Sequence, residues 1–218
     1  MRYNVAGHTI RSENTAKPLS QASRYLTDWL QAKPRMQSAL DFGCGRLRYA
    51  GCLAGKCEDL TLVDSEPQIE RGQQLNGTRA SIREFAAANW TNSRVLAFDA
   101  YERDQRQYDF ILCANVLPVV PYARMRARLL RQIAAHLKSN GECLFVCQYR
   151  NSYFNAVPTF SGARPHLDGW VVLRPGVSSS YFGILPKHTL ENLLRRFGFA
   201  IRSSWSEGQS AYVLCGLP

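Results

Sequence analysis

An acid, a spacer and two glycines one apart, Asp41-Phe42-Gly43-Cys44-Gly45, close the short apolar run that begins at Ala39. Glycines in that place permit a tight turn and let a ligand approach the backbone with no Cβ atoms in the way. Two further acids lie at or next to the ends of later apolar runs, Asp64 in LTLVD and Asp99 in RVLAFD. Carboxylates at such ends can accept hydrogen bonds from the hydroxyl or amino groups of a ligand. A dinucleotide fingerprint would put its third glycine at position 48, which is Arg48. Pyrophosphate binding of the usual kind, and with it a nicotinamide oxidoreductase, is therefore disfavoured. A phosphate-gripping loop of the Gly-Lys-Ser/Thr type is absent as well.

These residues need elements to hold them. Residues 19 to 32 place Leu19, Ala22, Leu26, Trp29 and Leu30 at helical spacing, with Ser20 as the expected cap and Pro34 beyond the end. Four apolar runs follow, SALDF, LTLVD, RVLAFD and YDFILCANVL, at intervals suited to alternating strands and helices. The segment YARMRARLLRQIAAHLKSNGECLFVCQY then reads as a long helix, a glycine stop and a buried strand. In that helix Met125, Leu129, Ile133 and Leu137 share the apolar face, opposite Arg124, Arg128 and Arg131. A helix, KHTLENLLRRFGF, and two strands, AIRSSWS and AYVLCGL, close the chain.

This alternation predicts an α/β fold: a doubly wound, mostly parallel, seven-stranded Rossmann-like sheet with an antiparallel C-terminal strand pair and helices on both faces. Ligands in such sheets bind beyond the carboxyl ends of the strands, near the reversal of strand order. The expected organisation is one domain, with an N-terminal lid and helix over 1–36 and a cofactor-binding core over 37–149. A substrate-site insertion over 150–186 and a C-terminal helix and strand pair over 187–218 complete it.

The segment LDFGCG resembles the first motif of class I S-adenosylmethionine-dependent methyltransferases, and LTLVDSE, VLAFDA and YDFILCANVLPVVP resemble the second, third and fourth. LKSNGECLFV is similar to the helix-turn-strand that follows them, so the resemblance covers roughly residues 37 to 147. The departure is Leu47, where the family usually keeps a third glycine. The resemblance implies S-adenosyl-L-methionine as cofactor. It implies that Asp64 accepts the ribose hydroxyls, that Asp99 accepts the adenine amino group and that Ala100 offers its backbone N–H. Gly43, Cys44 and Gly45 would line the methionine half with backbone, and Asp41 would orient that loop or meet the amino group through water. Ala114 and Asn115 would flank the reactive methyl.

Methyl transfer is an in-line displacement that needs the acceptor held near attack distance and, for some acceptors, a base. The catalytic group is not identified; His8, His166 and His188 are the candidates, and Arg11 or Lys17 is expected to pair with the cofactor carboxylate. The insertion carries Tyr153, Phe154, Phe160, Trp170, Tyr181 and Phe182 beside Arg150, Arg164 and Arg174, with a hairpin expected about Pro175-Gly176. Tyr153, Trp170, Tyr181 and Arg150 are the expected acceptor-site residues. Interleaved aromatics and arginines suit either an anionic or aromatic small molecule or a flipped nucleotide. The run Ala114-Asn115-Val116-Leu117-Pro118 lacks the Asn/Asp-Pro-Pro-aromatic signature of nucleic-acid amino-group methyltransferases. That tips the expectation towards a small acceptor, with nucleic acid as the rival and a non-catalytic cofactor-binding subunit as a third reading.

Composition sets the frame. The 218 residues, 45% of them hydrophobic, suffice for one full core. The net charge of +10 favours anionic partners, although arginine supplies 22 of the 27 cations and coding bias alone would account for that. No stretch is apolar enough to span a bilayer, so a cytoplasmic protein without membrane association is expected. The seven cysteines follow no paired metal-type repeat and are expected as reduced, buried thiols, with no metal site.

Overall fold

The computed structural model describes residues 2–173 and 179–218, apart from the side chain of Asn14. Arg174 and the Pro175-Gly176 turn lie outside the described residues. Seven strands form the central sheet: β1 (Met36–Phe42), β2 (Cys57–Asp64), β3 (Ser93–Ala97), β4 (Tyr108–Ala114), β5 (Leu137–Gln148), β6 (Ala200–Glu207) and β7 (Ser210–Gly216). Their spatial order is β6-β7-β5-β4-β1-β2-β3. Strands β1 to β5 pair in parallel, while β7 is antiparallel to both β5 and β6. The strand order reverses between β1 and β4.

Both faces of the sheet are covered, which is why the central strands read as unbroken apolar runs. Leu40, Ile111, Cys113 and Phe145 bury on one face with Leu129, Leu130 and Ile133 of the helix Ala123–Ala135. Ala39, Phe110, Leu112 and Leu144 bury on the other with Leu26 and Leu30 of the helix Arg24–Ala32 and Leu53 of Ala50–Ala54. Each strand thus supplies alternate residues to two cores.

Three local expectations need correction. The first long helix starts at Arg24 with Ser23, not Ser20, accepting the Leu26 N–H, and Leu19 stays exposed in a preceding 3-10 turn. The glycine stop before β5 does not exist: the helix ends at Ala135 and the strand begins at Leu137, with Gly141 inside it. A Cβ on Gly141 would sit 2.9 Å from the Tyr108 carbonyl oxygen, and the β4–β5 register shifts there. That glycine serves close strand approach rather than chain reversal. Asp99 is not at a strand end, because β3 stops at Ala97 and Asp99 falls in the helical turn Phe98–Tyr101.

Two small sheets sit over the carboxyl ends of the central strands. The N-terminal hairpin Arg2–Val5 with His8–Arg11 buries Tyr3, Val5 and Ile10, and turns at Ala6 and Gly7, both with positive φ. Within 150–186, the strands Ala163–His166, Gly169–Val172 and Ser180–Gly183 make an antiparallel three-stranded sheet. The two sheets meet where Ile10 bridges Ser179, and the Tyr122 hydroxyl ties the N-terminal hairpin down by donating to the Asn4 carbonyl.

Candidate active site

The turn after β1 is held open by its backbone. The Gly43 and Cys44 N–H groups donate to the Val63 carbonyl at 2.8 and 3.0 Å, which pins the turn to the end of β2. Gly43 and Gly45 have φ of +79° and +57°, and a Cβ on Gly43 would lie 2.3 Å from Val116 Cγ2. Only glycine meets both requirements at position 43. Leu47 has φ of +61° and is buried. The missing third glycine therefore leaves the left-handed turn in place, with a leucine bearing a strain of about 1–2 kcal/mol that its packing offsets. Arg46 extends the turn outward, donating to the Gln74 carbonyl in a hairpin (Gln73–Leu75 with Thr78–Ala80) that carries an Asn76-Gly77 turn.

Asp64, the last residue of β2, is half-buried and accepts the Gly45 N–H at 2.9 Å on one oxygen and the Ser65 N–H at 2.7 Å on the other. Burial pushes its carboxyl up, and these hydrogen bonds pull it back. Asp41 is buried, and its Oδ2 has no partner among the described residues. Burial first and the Asp64 charge second push its carboxyl up to about 7, against the pull of Arg48. The Cys44 thiol is raised well above its usual range by burial, so it stands as a neutral wall group.

These groups face one cavity of ≈ 450 Å³ at the strand-order reversal. Its floor is the ends of four parallel strands, through Asp41, Asp64, Ala114, Asn115 and Gln148. The segment Ser12–Lys17 closes one side, with Ala16 within 3.5 Å of where a Gly45 Cβ would stand. Tyr3 of the N-terminal hairpin, with Tyr153, Phe154, Tyr181 and Phe182 of the insertion, completes the enclosure.

The structure brings Asp41, Gly43, Cys44, Gly45, Asp64, Ala114 and Asn115 into one wall together with Tyr153 and Tyr181. It does not bring in Asp99 or Ala100: Phe98 is the member of that turn lining the cavity, while Asp99 is exposed. Trp170 and Arg150 are also elsewhere. Trp170 packs on the small core of Val157, Ala163, Val172 and Phe182, and Arg150 donates to the Gly208 carbonyl at 2.8 Å, bracing the C-terminal hairpin. Among the described residues no histidine lines the cavity. His8 is exposed, His166 bonds the Pro121 carbonyl at 2.7 Å, and His188 is exposed on the last helix beside Glu191. Of the two cations expected near the cofactor carboxylate, Lys17 lines the cavity and Arg11 does not.

Sequence reasoning missed a buried ionic cluster behind the wall. Arg126, 4% exposed, forms a two-pronged pair with Asp168 and donates to the Tyr181 hydroxyl at 3.0 Å. Tyr181 in turn donates to Asp168 at 2.6 Å. Burial works to raise the Asp168 carboxyl, but the Arg126 hydrogen bonds hold it below the ordinary value. The cluster fixes the inserted sheet to the helix Ala123–Ala135 and sets the Tyr181 ring in the cavity wall. The available signal was helical phase: Arg126 lies three residues before Leu129 and seven before Ile133, on the buried face.

Residues 13–204 match the family described as a methyltransferase domain. The chain belongs to the methyltransferase domain family. Its strand order is that of the class I fold, and the enzyme resembles known proteins along nearly its whole length. The Escherichia coli protein YmfD, itself uncharacterized, is 38% identical over 216 residues, covering 99% of this chain and 96% of its own. Among solved structures, PH0226 from Pyrococcus horikoshii superimposes with a TM-score of 0.67 at 14% identity, covering 94% of the enzyme and 95% of PH0226. The N-methyltransferase NodS from Bradyrhizobium japonicum, solved with S-adenosylhomocysteine, gives a TM-score of 0.60 at 14% identity, with 92% of the enzyme and 90% of NodS covered.

Proposed function

We propose that the enzyme transfers the methyl group of S-adenosylmethionine to a small molecule held beneath the two small sheets. The observation that carries this reading is the cavity itself, where backbone glycines and two carboxylates meet at the strand-order reversal under a roof. The residues fit the cofactor. Asp41 keeps a buried oxygen without a partner among the described residues, which suits an ammonium directly or through water. Asp64 has both oxygens oriented by backbone N–H groups and lone pairs to spare for a diol. The glycines leave the backbone bare where side chains would otherwise intrude. Phe98 supplies an apolar wall beside these carboxylates, while Asp99, next to it in the chain, is exposed and outside the lining. When bound, the cofactor supplies a methyl group on a sulfonium, and the protein supplies position and exclusion of water.

A small acceptor is favoured over a polymer by the roof. Ile10 and Ser179 join the N-terminal hairpin to the insertion, and Tyr122 anchors that hairpin, so the cavity that Asn115 lines is enclosed by joined sheets, which suits a small molecule better than a polymer. Calorimetry with S-adenosylhomocysteine and, in parallel, NADH tests the cofactor half of the proposal. Binding of the sulfur ligand alone is expected, and Asp64→Ala should weaken it by about 1.5–3 kcal/mol, the range of a lost charged hydrogen bond. Wild-type affinity in Asp64→Ala would move the ribose elsewhere. Salt-sensitive binding of bulk tRNA at comparable affinity would turn the acceptor search to nucleic acids.

A further inference from the structure

The acceptor half of the cavity carries a chemical preference, which rests on the methyltransferase reading above. Two asparagine amides line it, Asn115 just after β4 and Asn151 just beyond β5, beside Gln148, whose amide nitrogen donates to the Gln209 side chain at 2.7 Å. A backbone N–H fixes each amide oxygen: that of Gln148 donates to Asn115 Oδ1 at 2.7 Å, and that of Phe154 to Asn151 Oδ1 at 2.7 Å. An N–H donor bonds the oxygen end of an amide, so both orientations are decided and each Nδ2, with two hydrogens, is left over. Neither nitrogen is a buried orphan; both have access to solvent space. Ser180 and the rings of Phe154 and Phe182, stacked at 4.7 Å, complete this half. Of the wall's charged residues, Asp41, Asp64, Arg46 and Arg48 gather about the glycine turn and the adjoining end of β2, and Glu13 and Lys17 belong to the segment that closes one side. Burial raises the hydroxyls of Tyr3 and Tyr181, so both keep their protons at neutral pH.

We infer that the acceptor reacts through a carboxylate, held by the amide hydrogens of Asn115 and Asn151, and leaves as its methyl ester. A carboxylate is ionised at neutral pH and meets donor hydrogens on this wall. An oxygen lone pair forms the new O–CH₃ bond as the S–CH₃ bond breaks, and that bond's electron pair stays on sulfur. The sulfonium becomes a thioether, the two opposite charges cancel, and no proton passes to the protein. A phenol acceptor would need its proton removed, and an ammonium would face the amide hydrogens with its own.

The test uses methyl-tritiated S-adenosylmethionine, the protein and a deproteinised bacterial metabolite extract, with the products then warmed in mild alkali. Methyl esters release volatile labelled methanol, whereas N-methyl, S-methyl and aryl ether products do not. Most transferred label should be volatile. Asn151→Asp keeps the oxygen that caps Phe154 and puts negative charge where the amide hydrogens were. It should lower the volatile label about tenfold or more, with S-adenosylhomocysteine affinity held within about twofold. Alkali-stable label, label on added tRNA, full ester formation by Asn151→Asp, or no labelled product while S-adenosylhomocysteine binds would each overturn the carboxylate. Failure to bind S-adenosylhomocysteine would instead remove the methyltransferase reading on which the inference stands.

Discussion

The substitution Asp41→Asn should give a protein whose stability advantage over the wild type grows as pH rises, although it removes the carboxylate proposed to meet the cofactor's ammonium. Asp41 is 2% exposed and keeps an oxygen without a partner among the described residues. Its carboxyl moves from 3.8 to about 7, through burial first and the Asp64 charge second, with Arg48 opposing. The unfolded chain ionises at the ordinary value, so across this window the folded protein holds a proton that the unfolded chain has released. Stability is therefore greatest below the lower value and falls as pH rises through the upper one. A rise of about three pH units at about 1.4 kcal/mol each makes the loss roughly 4 kcal/mol once the folded carboxyl has ionised. An asparagine in its place has the same shape and nothing to ionise. Urea melts of both proteins, run without ligand from acid to mildly alkaline pH, give the difference directly. It should grow with pH and favour the variant by roughly 3–4 kcal/mol on the alkaline side. Parallel curves, or a gain below about 1 kcal/mol there, would refute the claim that the site stores an uncompensated carboxylate.

Gly43→Ala should lose at least about 1–2 kcal/mol from positive φ alone, and more from the Cβ that would stand 2.3 Å from Val116 Cγ2. Denaturant melts measure the stability loss and calorimetry the parallel loss of S-adenosylhomocysteine binding; a neutral variant would contradict the turn geometry. Leu47→Gly relieves about 1–2 kcal/mol of backbone strain but empties a buried site, where losing a leucine costs about 2–5 kcal/mol. A net loss is expected in the same melts, and a more stable variant would show that strain outweighs packing at this position.

What the sequence legibly carried was whatever depends on near neighbours. Apolar runs of strand length, spaced by helical patterns, require a sheet covered on both faces, and the acid-glycine turn after β1 requires a bare backbone at a strand end. Those two facts lead to the fold, to Asp41, Gly43, Cys44, Gly45 and Asp64, and to the family, because each is a local constraint on φ, burial or hydrogen bonding. The insertion was legible only as a place. Its aromatics look alike in the chain, yet the short helix Ser152–Ala156 and the three-stranded sheet turn Tyr153, Phe154, Tyr181 and Phe182 to the cavity and leave Trp170 beside Val157 and Ala163. Strand alternation alone cannot say which face a short inserted sheet will offer.

The remaining decisions belong to contacts between distant segments. Arg126 becomes a buried anchor only because Asp168 and Tyr181, 42 and 55 residues further on, meet it across the packed helix. Arg150 is drawn from the acceptor site to the Gly208 carbonyl by the β6–β7 hairpin, His166 is held at the Pro121 carbonyl, and His8 and His188 stay exposed. The chain by itself determined which residues could build a ligand turn. Only the tertiary structure, by pairing burial penalties with partners far off in sequence, decided which polar groups are spent on the fold and which are left facing the cavity.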